Sequence, residues 1–431
     1  MKKTLLLSVV ASTMIMAGGD IAPVEPVVES PVMVEASGWD FSGQAVVYYQ
    51  TIDAYGAADL FEQGPSAADA GFQLKAVNKD VIGGIGAGVT LNGLATLNLE
   101  NWMVDHVMQT TNGSINGGWI GELYATYGFG GTSIKLGRQT LPQSLSPFAY
   151  SENWNVFENT YDAALVVNTS IPDTVLVGAW VYNNNTNGYA QFNDPKHAGF
   201  LGTAIAGHNV AGSKKGAIGG AYANMADFDN TNGSDGVYMF TAQNKSVSNL
   251  TLTASYYYAN DFLGTGDALN ILWGDAGYDA GSFNVALQGG TITGIDALKD
   301  TTAFGAKVGM SLAGINAHVA YSSVDDGTTG VFNVGGQQTS LYTQMIINEG
   351  AITRDNDTVV LAANTQLLGG TFGVGYGITS SNVDNNDYNE LDVYYTADML
   401  GGNYLFGYVN MDNEFIADTN NVVRIVARYA F

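Results

Sequence analysis

The sequence predicts an all-β protein, a closed transmembrane antiparallel barrel of about 18 strands, with 16 as the alternative count. Three observations carry this. From Trp39 to the last residue, stretches of about 8 to 14 residues alternate apolar and polar with the strand period of two. Tight turns and long polar loops alternate strictly between those stretches. No amphipathic helical pattern emerges, and no apolar run after the amino terminus is long enough for a membrane helix.

Composition agrees. The 431 residues include 55 glycines and 24 tyrosines, no cysteine and only four histidines. Disulfides, thiolate nucleophiles and thiolate metal sites are therefore excluded, and a polyhistidine centre is not expected. With 15 basic and 40 acidic residues the formal net charge is −25, which argues against nucleic acid as a partner. The apolar fraction of 46% is too high for an acidic disordered chain.

Residues 1–18, with Lys2 and Lys3 before an apolar run and small residues, read as a cleaved secretory signal peptide. Residues 19–37 are rich in Pro and Glu and read as an extended periplasmic linker. Residues 38–431 read as the barrel. Short turns are expected at Asn92-Gly93, Gly130-Gly131, 170–174, 244–249, 278–281, 312–314, 368–370 and 399–402. Long segments fall near 52–70, 105–117, 141–157, 184–235, 260–267, 292–300, 324–356, 381–388 and 412–420. The 184–235 segment has strand-like pieces of its own and is a candidate extra hairpin. Both chain ends fall on the short-turn side, which is the arrangement of bacterial membrane barrels.

Closure supplies the physical reason. In lipid every backbone donor and acceptor must be paired internally, and a closed barrel has no open edge. In the last strand Val423, Ile425, Ala427, Tyr429 and Phe431 share one face, and Arg424, Val426 and Arg428 the other. A secreted sandwich or solenoid would alternate similarly, but it would not keep one class of turn so short, and no fixed repeat period is present.

At "SIKLGRQTLPQSLSPFAYSENWNVF" (133–157) and at the terminal "RIVARYAF", the chain resembles the bacterial outer-membrane porins. It looks most like those of Campylobacter-type organisms, themselves similar to the OprD-like eighteen-stranded channels. The resemblance covers the chain beyond the signal peptide. It implies a Gram-negative outer-membrane location, contact with lipid and lipopolysaccharide, and a frequently trimeric channel for ions and small hydrophilic solutes. It also implies a third extracellular loop folded into the lumen, and makes Phe431 the assembly signal for the outer-membrane insertion machinery.

A barrel this wide needs an internal element to narrow it. The candidate is 141–157, where Pro142 and Pro147 restrict the backbone and Phe148, Tyr150, Trp154 and Phe157 can anchor on a wall. Glu152 and Glu158 are then expected to face the aqueous gap, with Lys135 and Arg138 as partners. Strand parity places Glu100, Glu122, Asp162, Lys307, Glu390, Asp392, Arg424 and Arg428 on the lumen wall. Arg138 is a conflict: parity puts it on the lipid face beside Leu136, unless Gly137 carries a bulge or the residue sits at the rim. The resemblance favours the lumen.

Alternate glycines, Gly84, Gly86 and Gly88 and again Gly373, Gly375 and Gly377, fit either a close approach of other chain segments or the bending of a barrel wall. No catalytic or nucleotide-binding motif is present, so an enzyme is not expected and no cofactor is called for. Asp227, Asp229 and Asp235 alternate as in calcium loops, but the glycine is out of register; a solvated acidic loop is the default reading. The acidic composition predicts a weak to moderate cation preference. Basic residues are scarcer than in porins with a dense arginine ladder, which argues against strong anion selectivity. The competing reading is a surface-structural or adhesive barrel that works through the loops at 184–235 and 324–356.

Overall fold

The computed structural model describes residues 38–53, 59–109, 116–185, 235–261, 266–296, 298–333, 336–382, 387–414 and 419–431. They form 18 antiparallel strands in one closed sheet. In chain order these are β1 (Asp40–Ile52), β2 (Ser66–Ile82), β3 (Ile85–Ala95), β4 (Gly117–Phe129), β5 (Thr132–Gln139) and β6 (Thr160–Asn168). Then come β7 (Thr174–Asn185), β8 (Val237–Asn244), β9 (Leu250–Ala259), β10 (Leu269–Asp279), β11 (Phe283–Thr293) and β12 (Thr301–Leu312). The last six are β13 (Ile315–Val324), β14 (Asn356–Leu367), β15 (Gly370–Ser381), β16 (Tyr388–Met399), β17 (Gly402–Asn413) and β18 (Asn420–Ala430).

Each strand pairs with the next, and β1 pairs with β18 from Gln44↔Ala430 to Ile52↔Val422. The seam is pinned at one end by reciprocal backbone bonds between Gly43 and Phe431 (2.9 and 3.0 Å), and at the other by Asp53, whose carboxylate accepts from the backbone and side chain of Asn421. Outward positions such as Val47, Phe72, Leu123, Leu272, Leu287, Phe304 and Leu361 are exposed on every side of the wall. Aromatic pairs flank this apolar band: Phe72–Phe431 and Tyr278–Phe283 on the turn side, Trp180–Tyr238 and Phe304–Tyr321 toward the loops. Such a surface all round a closed sheet suits a bilayer, with aromatic rings at the two interfaces.

The predicted alternation of short turns and long loops holds along the described chain, with one correction. Asn92-Gly93 is not a turn. The β2–β3 reversal uses Gly83 (φ 60°) and Gly84 (φ 84°), which take the left-handed conformation a tight hairpin requires. Asn92 lies within β3 and faces the lumen, where its side chain accepts from Gln73 Nε2 at 2.9 Å. The expected signal peptide and linker (1–37), the candidate hairpin around 214–225, and Asp227 and Asp229 lie outside the described residues.

Among the described residues three loops enter the barrel: L2 (described at 96–109 and 116), L3 (140–159) and L7 (described at 325–333 and 336–355). L3 was expected inside, but 324–356 was read as an extracellular loop. Val331, Leu341, Met345, Ile347 and Ile352 of L7 are instead buried, several in one apolar cluster with Leu141, Phe148, Val156 and Phe157 of L3. A short helix, α1 (Glu349–Ile352), ends the inserted part of L7. Exposed in water, these aliphatic and aromatic groups would be unfavourable; stacked on each other inside the barrel they make a core.

Two of the alternate glycines of β15, Gly375 and Gly377, lie against Met345 of this loop, and the third, Gly373, against Tyr394 of β16. A methyl at Gly377 would lie 2.3 Å from Met345 Sδ, and one at Gly373 only 2.1 Å from the Tyr394 ring. Close approach, rather than wall bending alone, therefore accounts for them. We expect Gly377→Val to push Met345 and its loop off β15 while the barrel keeps its resistance to SDS at room temperature. Protease cleavage within 341–352 should then appear. An uncut variant with a native barrel would show that the glycine is dispensable.

Candidate functional site

The loops meet at Glu152. Its carboxylate, 1% exposed, accepts from Asn333 Nδ2 (2.7 Å), Gln337 N (2.8 Å), Gln338 N (2.8 Å) and Trp154 Nε1 (2.8 Å). Gly336 permits this nest, since a methyl there would lie 2.0 Å from Oε1. Tyr150 extends the join: its amide donates to Asn333 Oδ1 (2.8 Å) and its hydroxyl to Thr339 O (3.0 Å). Glu152 thus fastens L3 to L7 and does not line the aqueous gap, contrary to expectation. Burial pushes its carboxyl above the ordinary value of 4.5, against the opposing pull of its N–H donors.

L3 is folded for this role by its prolines. Ser146 N donates to Pro142 O (3.0 Å) in a tight turn, and Ser151 N to Leu141 O (2.9 Å) closes the base of that limb. Phe148 then packs edge-on against Tyr257 of β9 and Trp273 of β10. At the far side Arg428 donates to Val156 O (2.9 Å) and Asn155 O (2.7 Å), and Tyr48 of β1 donates to Trp154 O (3.1 Å). Arg424 donates to Gln50 (2.8 Å) and lies over the Tyr48 ring. Both arginines face inward as parity predicts, but they are buried, and Arg428 anchors the loop directly. L2 is tied in by Asp69, which accepts from Met108 N (2.8 Å) and Gln109 N (2.7 Å); Gln109 in turn accepts from Phe157 N (2.9 Å).

L7 lies along the inner wall from β10 to β16. Asp275 of β10 accepts from the Tyr342 hydroxyl, and Gln288 of β11, with its amide oriented to satisfy both partners, donates to Ser340 O (2.9 Å) and accepts from Tyr342 N (2.8 Å). Lys307 of β12 sits 5.1 Å from the Tyr342 ring centre. On β16, Glu390 accepts from Ile347 N (2.9 Å) and from the Tyr388 hydroxyl, and Asp392 from Ile346 N (3.2 Å). Lys307, Glu390 and Asp392 therefore face inward as expected, but under the loop rather than in open water.

Among the described residues, a charged strip on β2, β4 and β5 stays partly open to solvent. Lys75 Nζ is 2.9 Å from Glu122 Oε2, and Lys135 Nζ is 3.9 Å from Oε1 and 3.8 Å from the Tyr124 ring centre. Glu122, buried, also accepts from Thr90 Oγ1 (2.9 Å). The Lys75 side chain is 39% exposed, so the charge this strip presents to solvent is largely that of lysine. Half-buried Glu158 lies in the field of the same group; burial first, and then Glu122, raise its carboxyl above the usual range. Such a strip can retain small hydrated ions and solutes loosely without doing covalent chemistry.

Two residues expected in the lumen face outward. Parity continues unbroken through β5, so Arg138, opposite exposed Leu123, lies on the outer face. Asp162 lies there too, since its neighbours Tyr161 and Ala163 take the inward positions. Arg138 holds Asp162 through Nε (2.8 Å) and Nη2 (3.2 Å), and Nη1 donates to Ile120 O (3.0 Å). The pair closes a breach: β5 ends at Gln139 to become L3, while β4 runs on beside it. A register shift in β4 near Ile120 turns that carbonyl toward the gap. Glu100 is not a wall residue; it lies in a single 3-10 turn, Leu99–Asn101, within L2. Asp235 O accepts from Trp180 Nε1 (2.9 Å), and the Asp235 carboxylate from Asn260 (2.6 Å). Phe431 faces outward and stacks on Phe72.

Sequence reasoning missed Asp69, Lys75, Asp275, Asn333 and Tyr342. Lys75 was within reach, because it shares the inward face of β2 with Gln73. Asn333 and Tyr342 carry no periodic signal.

No known family pattern matches the chain, and no curated relative does. Solved structures do match. Pseudomonas aeruginosa OccK3 (OpdO) superposes with a TM-score of 0.65 at 14% identity, over 91% of this chain and 95% of that one. OccK2 (OpdF) of the same organism, solved in complex with glucuronate, gives 0.66 at 13% identity over 91% and 98%. OccAB4 of Acinetobacter baumannii gives 0.64 at 10% identity over 92% and 99%. The likeness is one of fold.

Replacing Arg138 by Met should remove both the bidentate pair and the cap on Ile120 O. We expect a loss of roughly 1–3 kcal/mol, seen as a lower temperature for the heat-induced mobility shift on SDS gels. Asp162→Asn should cost less, because Asn can still accept from the guanidinium. Equal melting of Arg138→Met and wild type would refute a closing role.

Proposed function

We propose that the protein is an outer-membrane porin, a passive channel for ions and small hydrophilic solutes across the envelope of a Gram-negative bacterium. The observation that carries this reading is a lipid-compatible, closed 18-stranded barrel whose interior is narrowed by interlocked loops beside a charged wall strip. The fold likeness to the OccK channels supports it, and the glucuronate in one of them makes small hydrophilic carboxylates candidate solutes. The narrower kinship with Campylobacter-type porins rests on short motifs alone.

Ion preference follows from two opposed sources. The net charge of −25 raises the local cation concentration at the mouths. Lys75 and Lys135 at the strip lower it again, and Glu152 lies too deep to compensate. The resulting preference is for cations and weak. A homotrimer, lipopolysaccharide contact at the outer rim, assembly through the terminal Phe431, and a solvated acidic loop at Asp227, Asp229 and Asp235 complete the reading. Burial of L7 removes one of the two loops, 184–235 and 324–356, on which the adhesive alternative drew.

In planar bilayers the purified protein should form steady channels whose reversal potential in a KCl gradient shows a modest excess of potassium over chloride permeability. The double substitution Lys75→Gln and Lys135→Gln should increase that excess. Absence of conductance would defeat the channel reading; chloride preference in the wild type would defeat the assignment of charge.

A further inference from the structure

In the turn-side half of the lumen, β6 and β7 present an apolar face beside the lysine strip. Leu165 pairs across the sheet with Lys135, Ala179 with Leu165, and Val167 with Val177, so these side chains share the inward face. Leu165, Val167, Val175 and Ala179 are half-buried, where a wall that meets water is ordinarily polar. Next to them the ammonium groups of Lys75 and Lys135 share the single carboxylate of Glu122, with Glu158 close by. An apolar patch bordered by cations fits an occupant that is apolar and acidic at once.

We propose that residues 19–37, which lead into β1, dock on this wall from within the same chain. Their sequence, GDIAPVEPVVESPVMVEAS, intersperses valines with Glu25, Glu29 and Glu35 and holds no lysine or arginine. Its prolines favour an extended chain. The described residues begin at Gly38, whose positive φ (115°) turns the backbone out of the strand direction. Ser42, four residues on, pairs with Lys75, so a reversal at Gly38 brings Glu35 level with that ammonium. From β2 to β7 is five strand spacings, about 24 Å. The eight residues from Glu35 back to Val27 span about 25 Å when extended. Glu29 then passes Lys135, and Val24, Val27 and Val28 reach the apolar patch. Because the segment is tethered at the rim, its effective concentration at the wall is millimolar, and weak contacts suffice to hold it there.

The cysteine-free chain lets the docking be read by crosslinking in the full-length barrel. Ser30→Cys paired with Ser133→Cys, on β5 beside Lys135, should give a bismaleimide crosslink within one chain. Ser30→Cys paired with Asn364→Cys, on β14 nine strands away across the lumen, should not. Replacing Glu25, Glu29 and Glu35 together by Gln should cut the first yield about fivefold, the scale of a few exposed ion pairs. The same replacement should raise the single-channel conductance, and Lys135→Gln should lower the yield as well. Equal yields at β5 and β14, a crosslink between chains, or a yield or conductance indifferent to the glutamates would overturn the docking. So would a mature chain that starts beyond Glu35. Absence of any crosslink would assign the wall to passing solutes and overturn it too. A crosslinked barrel that does not conduct would instead overturn the channel reading and leave the docking standing.

Discussion

Closure of the hydrogen-bonded sheet between β1 and β18 is the constraint on which the rest of the molecule depends. A sheet in lipid has no water to satisfy its edges, so the strand ladder must run all the way round. Once it does, eighteen strands enclose more space than their own side chains can fill. The chain then fills the loop-side half with its own loops, and the apolar groups of L2, L3 and L7 become an interior core. Where a strand leaves the wall to supply such a loop, as β5 does at Gln139, the ladder is interrupted. Arg138, Asp162 and Ile120 O repair that interruption with a charged pair on the outer face.

How each loop is held follows from what the wall can offer. Backbone carbonyls of L3 meet arginine and tyrosine donors, at Arg428 and Tyr48. Backbone amides of L2 and L7 meet carboxylates, at Asp69, Glu390 and Asp392. Orphan donors and acceptors of irregular backbone are thereby satisfied inside the barrel, which is the condition for burying a loop at all. The inward charges predicted from parity are mostly engaged in this task. They are anchors, and few of them are left exposed in the lumen.

This explains what the sequence made legible. Strand period and turn spacing reveal the barrel because each is a local pattern with a fixed physical period. Inward placement of Glu122, Lys307, Glu390, Asp392, Arg424 and Arg428 follows from the same parity. Where parity failed for Asp162, the alternation had been phased wrongly across L3; it had not broken down. The fates of Glu152 and of L7 were not legible, since they depend on contacts such as Glu152–Asn333, 181 positions apart in the chain. Nothing periodic links those residues. Only the alternate glycines of β15 hinted that another segment would lie on that wall.

A narrowed barrel also has to limit its own rigidity. L3 reaches from Tyr257 and Trp273 on one side to Arg428 and Tyr48 on the other, so it is clamped at both ends. L7 is held differently: its backbone and Tyr342 hydroxyl bond to buried carboxylates on the wall, and it joins L3 through the Glu152 and Tyr150 bonds and a shared apolar cluster. Burial weakens the ionised form of every such acceptor relative to water, while neutral donors only partly restore it. The two loops therefore differ in kind. L3 is fastened by arginine and aromatic packing, and L7 by buried carboxylates together with its share of the apolar cluster.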